Sequence, residues 1–278
     1  MAIDIKVSGG VDFNAYLADF AATFEAAGRG AFSQGLSGDE YTLWSGSDTT
    51  LPVEDGQAFV VESGDAGDLA YDFMTHTVGG TIDAIDFGNG VTDTGGGDYE
   101  TDSEVLFSGL DLSSTGADGI VNRLVLDLME GNTDVLMSLL KNADLNFEGS
   151  DENDAFRGFK GNDSIDGGAG NDKLNGGQGN DTLIGGEGND VLIGGSGKDV
   201  FVFGANSGKD VINDFEAGKG ATDVISFMDG QFKNFKDLMG SVHENSKGAT
   251  IITIDDDTSI KLKDVSIADL HKDDFLFA

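Results

Sequence analysis

The chain carries 51 acidic and 16 basic residues among 278, a formal charge of -35. An excess of that size repels nucleic acid and anionic membrane surfaces, so neither is an expected partner. It also opposes compaction unless something neutralises it, and carboxylates and carbonyls are hard oxygen ligands for a divalent cation.

From the N-terminus, MAIDIKVSGGVDF lacks the apolar core of roughly 7–15 residues that a Sec-type signal requires. Ile3, Ile5 and Val7 alternate as in a half-buried strand. Phe13, Leu17, Phe20 and Phe24 recur at helical spacing, with Asp12 available as N-cap, which predicts an amphipathic helix over 13–26. Strand-like runs follow at 41–44, 59–61, 69–73, 82–87 and 105–112, separated by Gly, Ser, Asp and Asn turns. Two helices are predicted next, 118–130 with Ile120, Val121, Leu124 and Leu128 on one side, and 133–141 with Leu136, Leu139 and Leu140. Strands in a run with helices at the ends predict an α+β domain over 1–146, a curved antiparallel sheet with helices on one face.

Residues 147–203 form a second region, read in nines from Glu148: EGSDENDAF, RGFKGNDSI, DGGAGNDKL, NGGQGNDTL, IGGEGNDVL, IGGSGKDVF. Asp154, Asp163, Asp172, Asp181, Asp190 and Asp199 fall nine apart, and Phe156, Ile165, Leu174, Leu183, Leu192 and Phe201 follow two residues after each. The glycines permit positive φ, so a short loop can aim its carbonyls at one point while the Asp supplies a carboxylate. With two repeats per coil turn, Asp163 lies near Asp181, Asp172 near Asp190 and Asp181 near Asp199. Carboxylates about 5 Å apart repel by about 3 kcal/mol at an effective dielectric of about 20, and a cation between them reverses the sign. The expected metal ligands are Asp163, Asp172, Asp181, Asp190 and Asp199, with carbonyls from Gly168, Gly170, Gly177, Gly179, Gly186, Gly188 and Gly195. The first repeat lacks several turn glycines, which sets Asp154 apart, and Lys198 stands where Asn is usual.

Residues 204–278 form a β flank, with strands expected at 211–215, 223–228, 250–254 and 259–263 and an Asp255–Asp257 turn between the last two. No cysteine is present, so any staple is something other than a disulfide, and bound metal is one such staple. No stretch approaches the ~18 apolar residues of a membrane span.

The nonapeptides resemble the calcium-binding repeats of the RTX family, and Ser207-Gly-Lys-Asp-Val-Ile-Asn-Asp-Phe215 resembles that family's flank. The resemblance implies an all-β parallel β-roll, calcium as ligand, and export by a type I secretion apparatus through an uncleaved C-terminal signal, with which the ending Asp-Asp-Phe-Leu-Phe-Ala is compatible. It places the protein outside the cell, free or at the cell surface.

In the N-terminal domain there is no HExxH, no GxSxG and no cysteine nucleophile, and His76, His243 and His271 are too scattered for a catalytic zinc motif; no enzyme is expected. Phe13-Asn-Ala-Tyr-Leu17, Leu36-Ser-Gly-Asp-Glu-Tyr41, Leu69-Ala-Tyr71, Ile85-Asp-Phe-Gly-Asn-Gly90 and Gly109-Leu-Asp-Leu-Ser-Ser114 together resemble the HasA-type hemophores, secreted haem scavengers. That resemblance implies haem as cargo, Tyr71 as the iron ligand, His76 as acceptor of its phenolic proton, and an outer-membrane haem receptor as partner. The loop after the first helix, residues 26–32, holds no histidine where many members supply a second axial ligand, leaving Tyr71 alone or with Met74. A second reading therefore stays open: an extracellular calcium-binding structural or adhesive protein whose hemophore-like domain no longer binds haem.

Overall fold

The computed structural model describes residues 2–24, 31–32, 37–38, 40–44, 53–63, 69–72, 77–93, 99–114, 118–220, 223–228 and 230–277. The chain divides into two compact units, Met1–Ser8 with Ala15–Leu140, and Gly9–Asn14 with Lys141–Ala278. The segment after residue 203 thus belongs to the same unit as the repeats.

The first unit holds two antiparallel sheets. One runs in the order Ala31–Phe32, Glu40–Trp44, Val53–Glu62, Ala84–Asp93, Tyr99–Ser108, Ala2–Val7. The other runs Leu112–Ser114, Thr77–Ile82, Leu69–Asp72, Ser37–Gly38. Antiparallel pairing with helices is as expected, but the single run predicted over 82–87 is split at Asp83. There the chain changes sheet: the Asp83 N–H donates to Glu62 O at 2.9 Å, and its carbonyl accepts from Leu110 N at 3.0 Å. Ala84 and Ile85 are both buried in succession, which a strand with one wet face does not allow.

Alternation at the N-terminal strand holds, with Ile3, Ile5 and Val7 buried. The helix Phe13–Thr23 turns Leu17 and Phe20 inward, and Phe20 meets Phe87 edge-on at 4.8 Å. The helix Ile120–Met129 buries Val121, Leu124, Val125 and Leu128 and packs on Thr77–Ile82. It stops where Gly131, at φ +73°, turns the chain, and Asp127 Oδ2 accepts from Val135 N at the start of Asp134–Leu140.

The second unit is built from two parallel ladders in which each strand pairs with one a full coil later. In one, Phe147, Ile165, Leu183, Phe201, Ile225 and Phe275 are aligned; in the other, Phe156, Leu174, Leu192, Ile212 and Leu262. All eleven side chains are buried, so one apolar residue per strand makes a continuous core between the ladders. The second ladder finishes in an antiparallel meander, Ser259–Leu262, Thr250–Thr253, Val242–Glu244, with residues 255–257 forming the turn as expected. Among the described residues no helix is long and apolar enough to cross a membrane.

Candidate metal centre

Every repeat aspartate is buried and reaches back one coil. Oδ1 of Asp172 accepts from Asp154 N, that of Asp181 from Asp163 N, of Asp190 from Asp172 N and of Asp199 from Asp181 N, at 2.8–2.9 Å. Asp163 accepts likewise from Leu145 N at 2.8 Å. The neighbouring asparagines reach the other way: Asn162 Oδ1 accepts from Asn180 N, and Asn171 Oδ1 from Asn189 N. The Asn-Asp pair therefore clamps each coil to both neighbours, which is why the repeat wants these two short acceptors side by side.

On the five repeat aspartates after Asp154, one oxygen is left over. Oδ2 of Asp163, Asp172, Asp181, Asp190 and Asp199 is buried and makes no hydrogen bond, although the Phe159 N–H lies near enough to Asp163 to favour its ionised form. Each of these oxygens faces the glycine five residues earlier: Gly158, Gly167, Gly176, Gly185 and Gly194. A Cβ on Gly167 would overlap Asp172 Oδ2 and stand 2.6 Å from Gly185 O, and one on Gly158 would overlap both Asp163 Oδ2 and Gly176 O. A carboxylate oxygen and a carbonyl of the next coil thus converge on a space that any side chain would fill. Among the described residues no three acidic or histidine side chains converge, so an ion here takes carbonyls for much of its shell. Hard oxygen donors without hydrogen-bond partners fit calcium.

Burial dominates the electrostatics. It pushes Asp163, Asp172 and Asp210 up to about 7, opposed by their backbone N–H bonds and reinforced by the carboxylate one coil away. Asp181, Asp190 and Asp199 are raised for the same first cause. The cost of an empty roll is therefore mainly desolvation, with the expected repulsion between coils a smaller part. These carboxyls hold their protons in the folded state at pH values where the unfolded chain, near 3.8, has lost them. Stability of the calcium-free unit should then rise as pH falls from about 7 toward about 4, and be lost as pH rises through that window. Urea midpoints in chelator should be higher at about pH 5 than at about pH 8; the reverse order would contradict this arrangement.

The seven glycines expected as carbonyl ligands all have positive φ, and Gly179 shares the largest value among them, +140°, with Gly188. The Gly188 Cα lies so close to Gly170 O that no Cβ fits. The Gly168 carbonyl accepts from Glu187 N at 2.9 Å, so one lone pair is committed to the ladder. Asp154 is satisfied on both oxygens, by Val11 N on Oδ1 and by Ser150 N and Oγ on Oδ2.

Asp210 was missed from the sequence. It is buried, its Oδ1 accepts from Asp190 N at 2.9 Å, and its Oδ2 has no partner, as in the repeats. It lies eleven residues after Asp199 rather than nine, yet Gly197-Lys-Asp-Val200 recurs as Gly208-Lys-Asp-Val211 and carries the signal. One coil beyond Asp199, Asp223 ends its column with both oxygens bonded, to Asp199 N and Glu216 N.

Tyr71 lies in the strand Leu69–Asp72, in register with Val78. His76, Met74 and residues 26–30 of the loop lie outside the described residues.

Residues 8–171 match the family described as HasA, heme-binding protein A. The chain belongs to the HasA family. In this HasA-family chain residues 175–209 also match the RTX calcium-binding nonapeptide repeat, in four copies. The hemophore HasA of Serratia marcescens is 33% identical over 169 residues, covering 53% of this chain and 82% of the relative. Of solved structures, the apo hemophore HasA of Yersinia pestis is 26% identical, covering 50% of this chain and 86% of that one, with TM-score 0.41. The AlgE6R2 subunit of the Azotobacter vinelandii mannuronan C5-epimerase is 29% identical over 47% of this chain and 91% of its own, with TM-score 0.38. The HasA match extends past residue 146 into the first repeats, across the boundary expected from the sequence.

Proposed function

We propose that the protein is an exported haem carrier whose C-terminal β-roll folds on calcium. The family match over residues 8–171 carries the haem half, and the row of buried, unpartnered Oδ2 atoms carries the calcium half. Calcium takes Asp163, Asp172, Asp181, Asp190 and Asp199, with Asp210 as a further ligand outside the nine-residue phase. The turn carbonyls, including those of Gly176 and Gly185, complete the shells. Millimolar calcium outside the cell and submicromolar calcium inside keep the roll unfolded until export through the type I apparatus is complete. The protein then works in the medium or at the cell surface, delivering haem to an outer-membrane receptor.

Haem is the cargo, and Tyr71 is its iron ligand, since a phenolate is a hard anionic donor suited to ferric iron. His76 takes the phenolic proton and so lowers the cost of ionising Tyr71. Hemin added to the purified protein should give a Soret band with tyrosinate charge-transfer features, and Tyr71→Phe should remove those features and weaken binding at least about tenfold. Identical spectra and affinity for the two proteins would reject Tyr71 as ligand. The histidine-free loop at 26–32 favours a second reading, an extracellular calcium-binding structural or adhesive protein. Wild-type protein that takes up no hemin while still binding calcium would select it.

A further inference from the structure

The first coil of the roll has a counterpart on its N-terminal side that no repeat supplies. In the ladder of Phe147, the strand Asp144–Glu148 takes that place, with Leu145 in the aspartate position, Phe147 in the apolar one and Asp144 acting as the asparagine does, accepting from Asn162 N at 2.7 Å. In the other ladder the place is taken by residues 9–14, from far earlier in the chain.

The register is that of a repeat. Val11 N donates to Asp154 Oδ1 at 2.7 Å, just as Asp154 N donates to Asp172 Oδ1 at 2.8 Å. Ala155 N donates to Val11 O at 2.8 Å, just as Lys173 N donates to Asp154 O at 2.9 Å. Asp12 bridges Ala155 in parallel, which aligns Phe13 with Phe156, and their rings lie 5.2 Å apart. Val11-Asp-Phe13 is thus a repeat's Asp-x-apolar triplet with valine in place of the ligand, and Phe13 is the first member of the apolar column. Asp154 beside it needs no ion, because Ser150 satisfies its second oxygen.

Phe13 also begins the helix Phe13–Thr23, whose residues from Ala15 onward belong to the other compact unit and whose Phe20 packs on Phe59 and Phe87. A helix of 11 residues has little stability of its own, so its order depends on what holds its ends and its face. We propose that residues 9–14 form a ligand-free capping coil of the roll, through which calcium loading stabilises the first helix of the haem domain. Without calcium the first coil has no fixed Asp154–Ala155 edge, residues 9–14 have nothing to pair with, and the helix loses its anchored start. This rests on the calcium half of the proposed function.

Hydrogen exchange of the full chain, in millimolar calcium and in chelator, tests it. Amides of residues 15–23 should exchange at least about tenfold more slowly with calcium, in parallel with those of the repeats. Val11→Pro removes the N–H given to Asp154. In that variant the repeats should keep their calcium response and residues 15–23 should lose theirs. Should that variant fail to fold, Gly10→Val acts at the same junction, because a Cβ there meets Asn153 O at 2.9 Å. Repeats that respond to calcium while residues 15–23 of wild type do not would overturn the proposal. So would a full helix response retained in Val11→Pro or Gly10→Val. Repeats that ignore calcium altogether would instead remove the calcium reading beneath it.

Discussion

Chelation of calcium should abolish most of the strand signal of residues 141–277, and calcium at millimolar concentration should restore it. Six aspartates, Asp210 and the five of the repeats from Asp163 to Asp199, bury an Oδ2 atom that makes no hydrogen bond. A buried carboxylate left in that state is strongly disfavoured, and these groups respond by holding their protons to higher pH. At neutral pH the fold must therefore carry either unpaired charge or protons it would otherwise release. A cation removes both costs at once. A site filled at about 100 times its dissociation constant contributes about 2.7 kcal/mol, and several such sites decide whether the unit is folded. Far-UV circular dichroism in chelator, then on addition of calcium, measures this. A spectrum that does not change would mean that the apolar columns and the Asn-Asp clamps suffice alone.

The second large effect is a pair of opposite changes at Asp181. Asp181→Asn keeps an oxygen for the Asp163 N–H while removing the charge that calcium uses. The calcium-free roll should become more stable, because a carboxamide costs less to bury than a carboxylate. Calcium affinity should fall at least about tenfold, or about 1.4 kcal/mol, with the loss concentrated in the coils next to it. Asp181→Ala, which also orphans the Asp163 N–H, should weaken both states. The same carboxamide at Asp210 should reduce the number of calcium ions bound in a calorimetric titration, whereas Asp154→Asn should leave it unchanged. Equal titrations of wild type and Asp210→Asn would remove Asp210 from the ligand set.

The nine-residue phase of aspartate and apolar residue was readable because a parallel coil repeats its environment at a constant chain interval. That phase placed the inward residues from Phe156 to Phe201 correctly. Asp210 escaped it because the loop before it is two residues longer, and a period says nothing once the loop changes length. Val11 and Phe13 were harder still. They complete a coil whose other members begin more than a hundred residues later, and valine removes the aspartate that marks the position. Local pattern carries strand and helix type, as at Ile3, Ile5 and Val7, but pairing between distant segments is settled by geometry that no window contains. The change of sheet at Asp83 was hidden for a related reason: Ile82 before it and Ala84 and Ile85 after it are apolar, and the three read as one run. For Tyr71 and His76 the pointer was resemblance alone, since a strand tyrosine near a histidine has no periodicity to reveal it.

A parallel coil stack with bare rims presents rows of free amides and carbonyls on which another molecule can template itself, end over end, into a filament. At one rim this chain supplies residues 9–14 and Asp144–Glu148, whose aspartate positions are held by Val11 and Leu145. At the other, the chain reverses through Thr250–Thr253 and Val242–Glu244, and Phe275–Phe277 fills the neighbouring ladder. Reversed polarity breaks the repeat that growth would copy, so that rim offers a further molecule no coil to extend.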